Sequence, residues 1–416
     1  MLKLMRAVLI LTLLLGGHSV YAADTASFGE LLSGGYFHPG LQINGEYTDN
    51  YFLTPDNEES AWITKISPSF WLSIPGSRLQ RVAPISSHNS AGGQGVTRFQ
   101  DEGFTGLQSA LFYRADIVTV DNYSADDSIR QTAQGVLQYN FPSGLAFEVS
   151  DVYVDDYESY AEGDDNENDE YRSNLVNLIG YYRPNEKFKF RLGYSHYLIN
   201  YKSDDDSDME HADDQLSAYV FYRVLPKTEA FLQYDHISVQ YDSGPLSDNS
   251  EQHFYAGLKF DDRALIKGHV KLGYGLIDTD QSAANSYRDM IGEAMLSYAL
   301  GERSTVSMHA LRRVDVSDGA LFQNILHDEC GIAFKHKLNA KLDVTLRAVL
   351  GWNERRIDSD LNGYQDDTLN AGVKVAYEAR KWLIFGAGYR FTNVDSDLPD
   401  SEYTENSWSA NMAINF

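Results

Sequence analysis

The chain closes on Ser407-Trp408-Ser409-Ala410-Asn411-Met412-Ala413-Ile414-Asn415-Phe416, with an apolar side chain at every second position. Trp408, Ala410, Met412, Ile414 and Phe416 share one face of an extended strand, because successive side chains point to opposite sides. Ser407, Ser409, Asn411 and Asn415 lie on the other face. The pattern predicts a closing β-strand with one apolar face and a free terminal aromatic. A soluble antiparallel sheet can end in the same way, so the rest of the chain has to decide what that face meets.

The opposite end of the chain points to export. Met1 to Ala22 holds Lys3 and Arg6, an apolar run from Ala7 to Leu15, then Gly16, Gly17 and Val20-Tyr21-Ala22. This is the order of a secretory signal peptide, with cleavage expected near Ala22 or Ala23. The run is too short to cross a bilayer as a helix, and no later stretch is long and apolar enough. Cys330 is the single cysteine, so neither an internal disulfide nor a cysteine metal cluster is expected. Its alternation with Ile332 and Phe334 reads as a small lipid-facing hydrophobe.

Composition narrows the class. Mean hydropathy is −0.39, yet aromatics make up 13% of the 416 residues, with 28 Tyr, 20 Phe and 5 Trp. A transmembrane barrel combines these features, since lipid-facing apolar residues alternate with lumen-facing polar ones and aromatic girdles mark both interfaces. The last strand then resembles that of an outer-membrane β-barrel, whose terminal aromatic is presented to the insertion machinery. The formal charge of −26 excludes a nucleic-acid partner.

Short alternating segments recur along the chain. Leu342, Val344, Leu346, Ala348, Leu350 and Trp352 alternate with Lys341, Asp343, Thr345, Arg347 and Gly351. Phe188, Phe190, Leu192 and Tyr194 alternate with Lys189, Arg191, Gly193 and Ser195, and similar runs start at Val270 and Leu369. Such strands put apolar side chains toward lipid and polar ones toward a wet interior. Tight connections at Pro142-Ser143-Gly144, Arg183 to Lys187, Leu225-Pro226-Lys227, Gly301 to Ser304, Asn339-Ala340-Lys341 and Ala379 to Lys381 are expected on the periplasmic side. Longer acidic loops at Asp155 to Glu170, Tyr201 to Asp214, Asp242 to Ser250, Arg355 to Asp367 and Asp395 to Glu405 should face outside.

The fold expected is all-β: a single transmembrane antiparallel β-barrel of the outer membrane of a Gram-negative bacterium, with about 18 strands, or 16 if one hairpin is miscounted. Its domains would be a signal peptide over 1–22, a short periplasmic segment over 23–35 and the barrel over 36–416. One connection departs from the rhythm. The stretch from Ile74 to Gly106 is long, Gly- and Ser-rich, and carries Arg78, Arg81 and Arg98. It reads either as a disordered periplasmic loop or as a segment that folds into the lumen or docks a periplasmic partner.

The opening hairpin carries the most specific motif: Tyr36-Phe37-His38-Pro39-Gly40-Leu41, then Tyr47-Thr48-Asp49-Asn50, then Ile63-Thr64-Lys65-Ile66-Ser67-Pro68. This resembles the outer-membrane family described as putative beta-barrel porin 2, whose members are found with exopolysaccharide and capsule biosynthesis genes. The hairpin rhythm and terminal phenylalanine extend the similarity over essentially the whole mature chain. The resemblance implies an outer-membrane conduit for an exported polysaccharide, working with periplasmic and inner-membrane components. The long stretch after Ile74 departs from that pattern and leaves the openness of the pore undecided. A general diffusion porin for small solutes is the alternative, and an outer-membrane hydrolase a more distant one.

If the alternation holds, Lys189, Arg191, Arg223, Lys259, Lys271, Lys335, Arg347, Lys374 and Arg390 point inward, mostly in the periplasmic halves of their strands. Glu148, Asp343 and Glu378 point inward as well. A basic interior would draw an anionic sugar chain through weak, repeated contacts, with an acidic outer mouth opposing return. The acidic runs Glu162, Asp164, Asp165, Glu167, Asp169 and Glu170, and Asp204, Asp205, Asp206, Asp208 and Glu210, offer oxygen ligands but lack the register of a defined calcium loop. They read as solvated extracellular loops sharing divalent ions with surrounding lipid and lipopolysaccharide, so neither a resident metal nor a cofactor is expected.

Catalysis has little support in the residues. Ser195 and His196, and Asp235 and His236, are adjacent pairs that a strand points to opposite faces. His211 and Asp213 have same-face spacing but are expected in a loop. No nucleophile, phosphate or dinucleotide motif stands out, and the expectation is a barrel without enzymatic activity.

Overall fold

The closing strand forms over Tyr403–Asn415 and is the last of 18 in one sheet. A computed structural model describes residues 36–74, 106–157, 170–203, 207, 209–242, 248–261, 264–279, 287–316, 324–356, 364–398 and 401–416. The first nine strands are β1 (Phe37–Thr48), β2 (Ala61–Ile74), β3 (Gly106–Val120), β4 (Ser128–Asn140), β5 (Leu145–Tyr157), β6 (Glu170–Tyr182), β7 (Phe188–Tyr201), β8 (His211–Leu225) and β9 (Thr228–Tyr241). They are followed by β10 (Asn249–Phe260), β11 (Ile266–Thr279), β12 (Tyr287–Ala299), β13 (Ser304–Val316), β14 (Asn324–Lys337), β15 (Leu342–Arg356), β16 (Tyr364–Arg380), β17 (Leu383–Ser396) and β18 (Tyr403–Asn415).

Each strand pairs antiparallel with its chain neighbours, and β1 also pairs with β18. Leu41 stands opposite Ile414, Ile43 opposite Met412 and Tyr47 opposite Trp408. The sheet is therefore a closed barrel. Closure is what a bilayer demands, because a backbone group left unpaired in hydrocarbon costs several kcal/mol.

Alternation fixes which face is which. Leu192 is 66% exposed while its neighbour Arg191 is 1% exposed. Phe188, Phe190, Leu192 and Tyr194 form the outer face of β7, and Lys189, Arg191 and Ser195 its inner face. Exposed aromatics gather toward both ends of the wall. Phe188 packs on Tyr222 and Trp382 stacks on Phe416 at the short-turn end, while Tyr47 and Tyr389 flank Trp408 nearer the other. This is the girdle arrangement of a membrane barrel, with amphipathic rings at each interface.

Apart from the stretch between Ile74 and Gly106, the short connections lie at one end of the barrel and the long ones at the other. At the first tight turn Gly144 has φ +84°, and a Cβ there would lie 2.4 Å from the Arg183 carbonyl oxygen. Two strand readings need correction. β16 runs through a bulge to Arg380, so its turn is Lys381-Trp382 rather than Ala379 to Lys381. At the long-loop end the strands outrun the acidic boundaries read from sequence: β5 continues past Asp155 to Tyr157, and β8 begins at His211, opposite Ile199, rather than after Asp214. Acidic composition marks solvent, whereas strand pairing continues into solvent as long as the ladder is kept.

The 1–22 and 23–35 segments and the core of the Ile74 to Gly106 connection lie outside the described residues, as do Asp164, Asp165, Asp169, Asp204, Asp205, Asp206 and Asp208.

Candidate functional site: the closing seam and the inner wall

Tyr47-Thr48-Asp49-Asn50 leave the top of β1 where β18 begins. Asp49 Oδ1 accepts the Asn406 amide at 2.7 Å and Oδ2 accepts Asn406 Nδ2 at 2.8 Å, while the Asp49 amide donates to the Asn406 carbonyl at 3.1 Å. Asn50 Nδ2 donates to the Thr404 carbonyl at 3.1 Å and the Thr54 carbonyl at 2.8 Å, and its Oδ1 accepts the Thr54 amide at 3.0 Å. One asparagine thus folds its own loop and ties it to the last strand. The Thr48 hydroxyl donates to Glu405 Oε1 at 2.9 Å, and on the lipid side the Tyr47 and Trp408 rings lie 5.8 Å apart.

Pro39 and Gly40 close the other end of the same seam. The Pro39 carbonyl accepts the Phe416 amide at 3.1 Å, and Gly40 stands opposite Asn415, whose Oδ1 a Cβ there would meet at 3.1 Å. All six motif residues therefore serve the β1–β18 junction. Sequence reasoning missed their partners Glu405 and Asn406, because nothing in local spacing reveals a bond across 350 residues or more. Next to the seam, Tyr51 stacks on Tyr123 at 5.2 Å, so the first two long-loop connections pack together. The Glu59 carboxylate raises the Tyr123 hydroxyl above the usual phenol range, chiefly by accepting its hydrogen bond.

The nine basic candidates fall on the face opposite the apolar belt, in two different settings. Lys189 stands beside Phe221, its Nζ 4.4 Å from the ring centroid and 2.8 Å from Glu229. Arg191 is flanked by Tyr181 and Tyr219, its guanidinium 4.4 Å from the Tyr219 ring. Arg223 lies 3.6 Å from Glu229, and Lys259 stands between Glu229 and His269. Lys271 reaches Glu293 at 3.1 Å and the Tyr255 ring at 4.5 Å, with His269 on the other Glu293 oxygen at 2.6 Å. Large neighbours and carboxylates thus hold Lys189, Arg191 and Lys271 buried.

On β14 to β17 the cations are exposed. Lys335 has Thr305 and Thr345 as cross-strand neighbours; Arg347 has Ala333 and Gly372; Lys374 has Thr345 and Gly388; Arg390 has Gly372 and Ser407. Lys335 reaches Asp343 at 3.1 Å, and Arg390 reaches Glu46 at 3.0 Å and Glu405 at 3.3 Å. Among the described residues, no carboxylate forms an ion pair with Arg347 or Lys374.

The pairs considered for catalysis are kept apart. Ser195 is buried on the inner face and donates to Asn177 at 2.6 Å, whereas His196 points outward to Asp214 at 3.0 Å. His211 and Asp213 lie within β8 rather than in a loop, 3.8 Å apart, because the strand begins earlier than its acidic surroundings indicate. Glu170 pairs with Lys202, and Glu210 accepts the Tyr201 amide at 3.0 Å. Among the described residues, no group of three or more His, Cys, Asp or Glu side chains is placed to hold a metal.

A family model described as putative beta-barrel porin 2 matches residues 201–416. The chain belongs to that family. The match of this porin family runs from the end of β7 through β18 and does not include the opening hairpin on which the resemblance was read. No curated protein matches the chain in sequence.

Similarity to solved structures is at low identity. The outer membrane protein OpdK from Pseudomonas aeruginosa is 11% identical with a TM-score of 0.47, over 91% of this chain and 99% of that one. OccK3 (OpdO) from the same organism is 11% identical with a TM-score of 0.46, over 92% and 97%. Its siderophore receptor PirA is 8% identical with a TM-score of 0.41, over 92% and 80%. As a member of the porin family, this chain is an outer-membrane, porin-like β-barrel. The short-turn end is then the periplasmic one.

Proposed function

We propose that this barrel is the outer-membrane conduit through which an exported exopolysaccharide or capsular polysaccharide leaves the cell, without enzymatic activity of its own. The observation that carries the reading is the closed ring of 18 strands with a polar, charge-bearing inner wall, in a chain of the porin family. Barrels of 16 to 18 strands are wide enough to enclose an aqueous channel. Charged and hydroxylated side chains on the inner wall suit a ligand that is itself covered with hydroxyls, since weak contacts at many sites let a chain enter and leave. The acidic long-loop end and the surrounding lipopolysaccharide form the outer boundary, and periplasmic and inner-membrane export components supply the chain.

Deleting the gene and measuring surface polysaccharide beside uptake of small solutes tests the reading. The expected result is loss of surface polysaccharide with unchanged uptake. Normal polysaccharide with reduced uptake would make the protein a diffusion porin.

A further inference from the structure

We infer that the inner wall of β14 to β17 is a binding site for an anionic group carried on a saccharide, with Arg347 and Lys374 as its principal cations. The inference rests on the reading of the barrel as a saccharide conduit and names the class of sugar it takes. Three observations combine.

The first is accessibility. Of the nine inner-wall cations, Lys335, Arg347, Lys374 and Arg390 are the exposed ones, and they occupy four consecutive strands. The other five of the nine, on β7, β8, β10 and β11, are half-buried or buried.

The second is pairing. Arg223, Lys189 and Lys271 each have a carboxylate within 4 Å. Arg347 and Lys374 have none among the described residues. Their charge is available to a ligand, and a charge-assisted hydrogen bond is about twice as strong as a neutral one.

The third is the floor between them. Gly372 lies directly between Arg347 and Arg390, and Gly388 lies beside Lys374. A Cβ on Gly372 would sit 2.9 Å from the Tyr389 carbonyl oxygen, and one on Gly388 would sit 3.0 Å from Ser409 Oγ. The wall beside these cations is therefore bare backbone at Gly372 and Gly388. Arg347 and Lys374 are diagonal neighbours on one face, roughly 7–8 Å apart at the backbone. One carboxylate or phosphate over Gly372 lies within reach of both side chains. The arginine offers a planar fork to it and the lysine a mobile point charge.

Lys335 and Arg390, each held by carboxylates, extend the strip on either side. Their pairs provide donors and acceptors for hydroxyl groups next to the anion. The site thus distinguishes an acidic sugar from a neutral one by two unpaired cations, while the net charge of the whole wall plays little part.

The test is calorimetric titration of the purified full chain in detergent with trigalacturonate, maltotriose and inorganic phosphate as probes. Arg347→Gln/Lys374→Gln is compared with wild type and with Lys187→Gln, a control on the periplasmic turn before β7. Folding of each variant is verified by its heat-dependent shift on an SDS gel. We expect trigalacturonate to bind wild type and Lys187→Gln alike and to bind the double variant at least tenfold more weakly, with maltotriose unaffected. Absence of trigalacturonate binding, unchanged binding by the double variant, an equal loss for maltotriose, or phosphate competing as effectively as trigalacturonate overturns the inference. If the double variant does not fold, Arg347→Lys and Lys374→Arg provide the second reading, since retained binding in both is expected and its loss in both contradicts a charge-based site. This assay needs no export. Normal surface polysaccharide in the deletion strain would reject the export role while leaving the site intact.

Discussion

Asp49 takes two hydrogen bonds from Asn406, a residue at the far end of the chain. Hydrogen bonds to a charged acceptor contribute about 1.5–3 kcal/mol each when buried, and less when water competes. Asp49→Ala should therefore cost about 2 kcal/mol, read as a lower temperature for loss of the fast-migrating folded band on an SDS gel. Asp49→Asn keeps one acceptor oxygen and should lose less. Equal melting of all three proteins would remove Asp49 from the seam. Gly268 makes a different demand. Its φ is +113°, and a Cβ there would lie 1.8 Å from the Met295 carbonyl oxygen of the next strand. Gly268→Ala should sharply reduce the amount of folded barrel recovered from membranes. Gly180→Ala, whose Cβ would meet only the Phe147 ring at 3.7 Å, should be tolerated. Similar yields of the two would show that β11 relaxes around the added methyl.

At the scale of the element, the decisive contact is between the first strand and the last. Phe416 donates its amide to Pro39 and stacks on Trp382 at 5.9 Å, so the terminal aromatic belongs to the closed wall. Leu41 and Ile414 are directly opposed on the lipid face. In a Cys330→Ser background, Leu41→Cys/Ile414→Cys should form an intramolecular disulfide that changes gel mobility under oxidising conditions. Leu41→Cys paired with Ala413→Cys, one position out of register, should do so poorly. Efficient cross-linking of both would mean that the seam slips. The strands themselves were legible in Leu342 to Trp352 and Phe188 to Tyr194, because period two is a direct image of the pleat. Their upper ends were not. His211 and Asp213 carry loop-like chemistry yet sit in β8, since pairing with β7 and β9 determines where that strand begins.

For the whole molecule, the sequence by itself determined the polar–apolar alternation, a closed antiparallel barrel and its approximate strand number. These follow from local chemistry: a period of two, turn residues at intervals, and the rule that lipid tolerates no open edge. Where the basic residues stand on their strands was legible in the same way. What each cation does was not. Lys189 is neutralised by Glu229 two strands away, and Arg390 is held by Glu46 across the closure, whereas Arg347 faces only Ala333 and Gly372. Only the tertiary structure decided which charges are paired and which stand free. An ion pair across a barrel depends on strand register and on neighbours hundreds of residues away, and alternation along one strand carries no record of either.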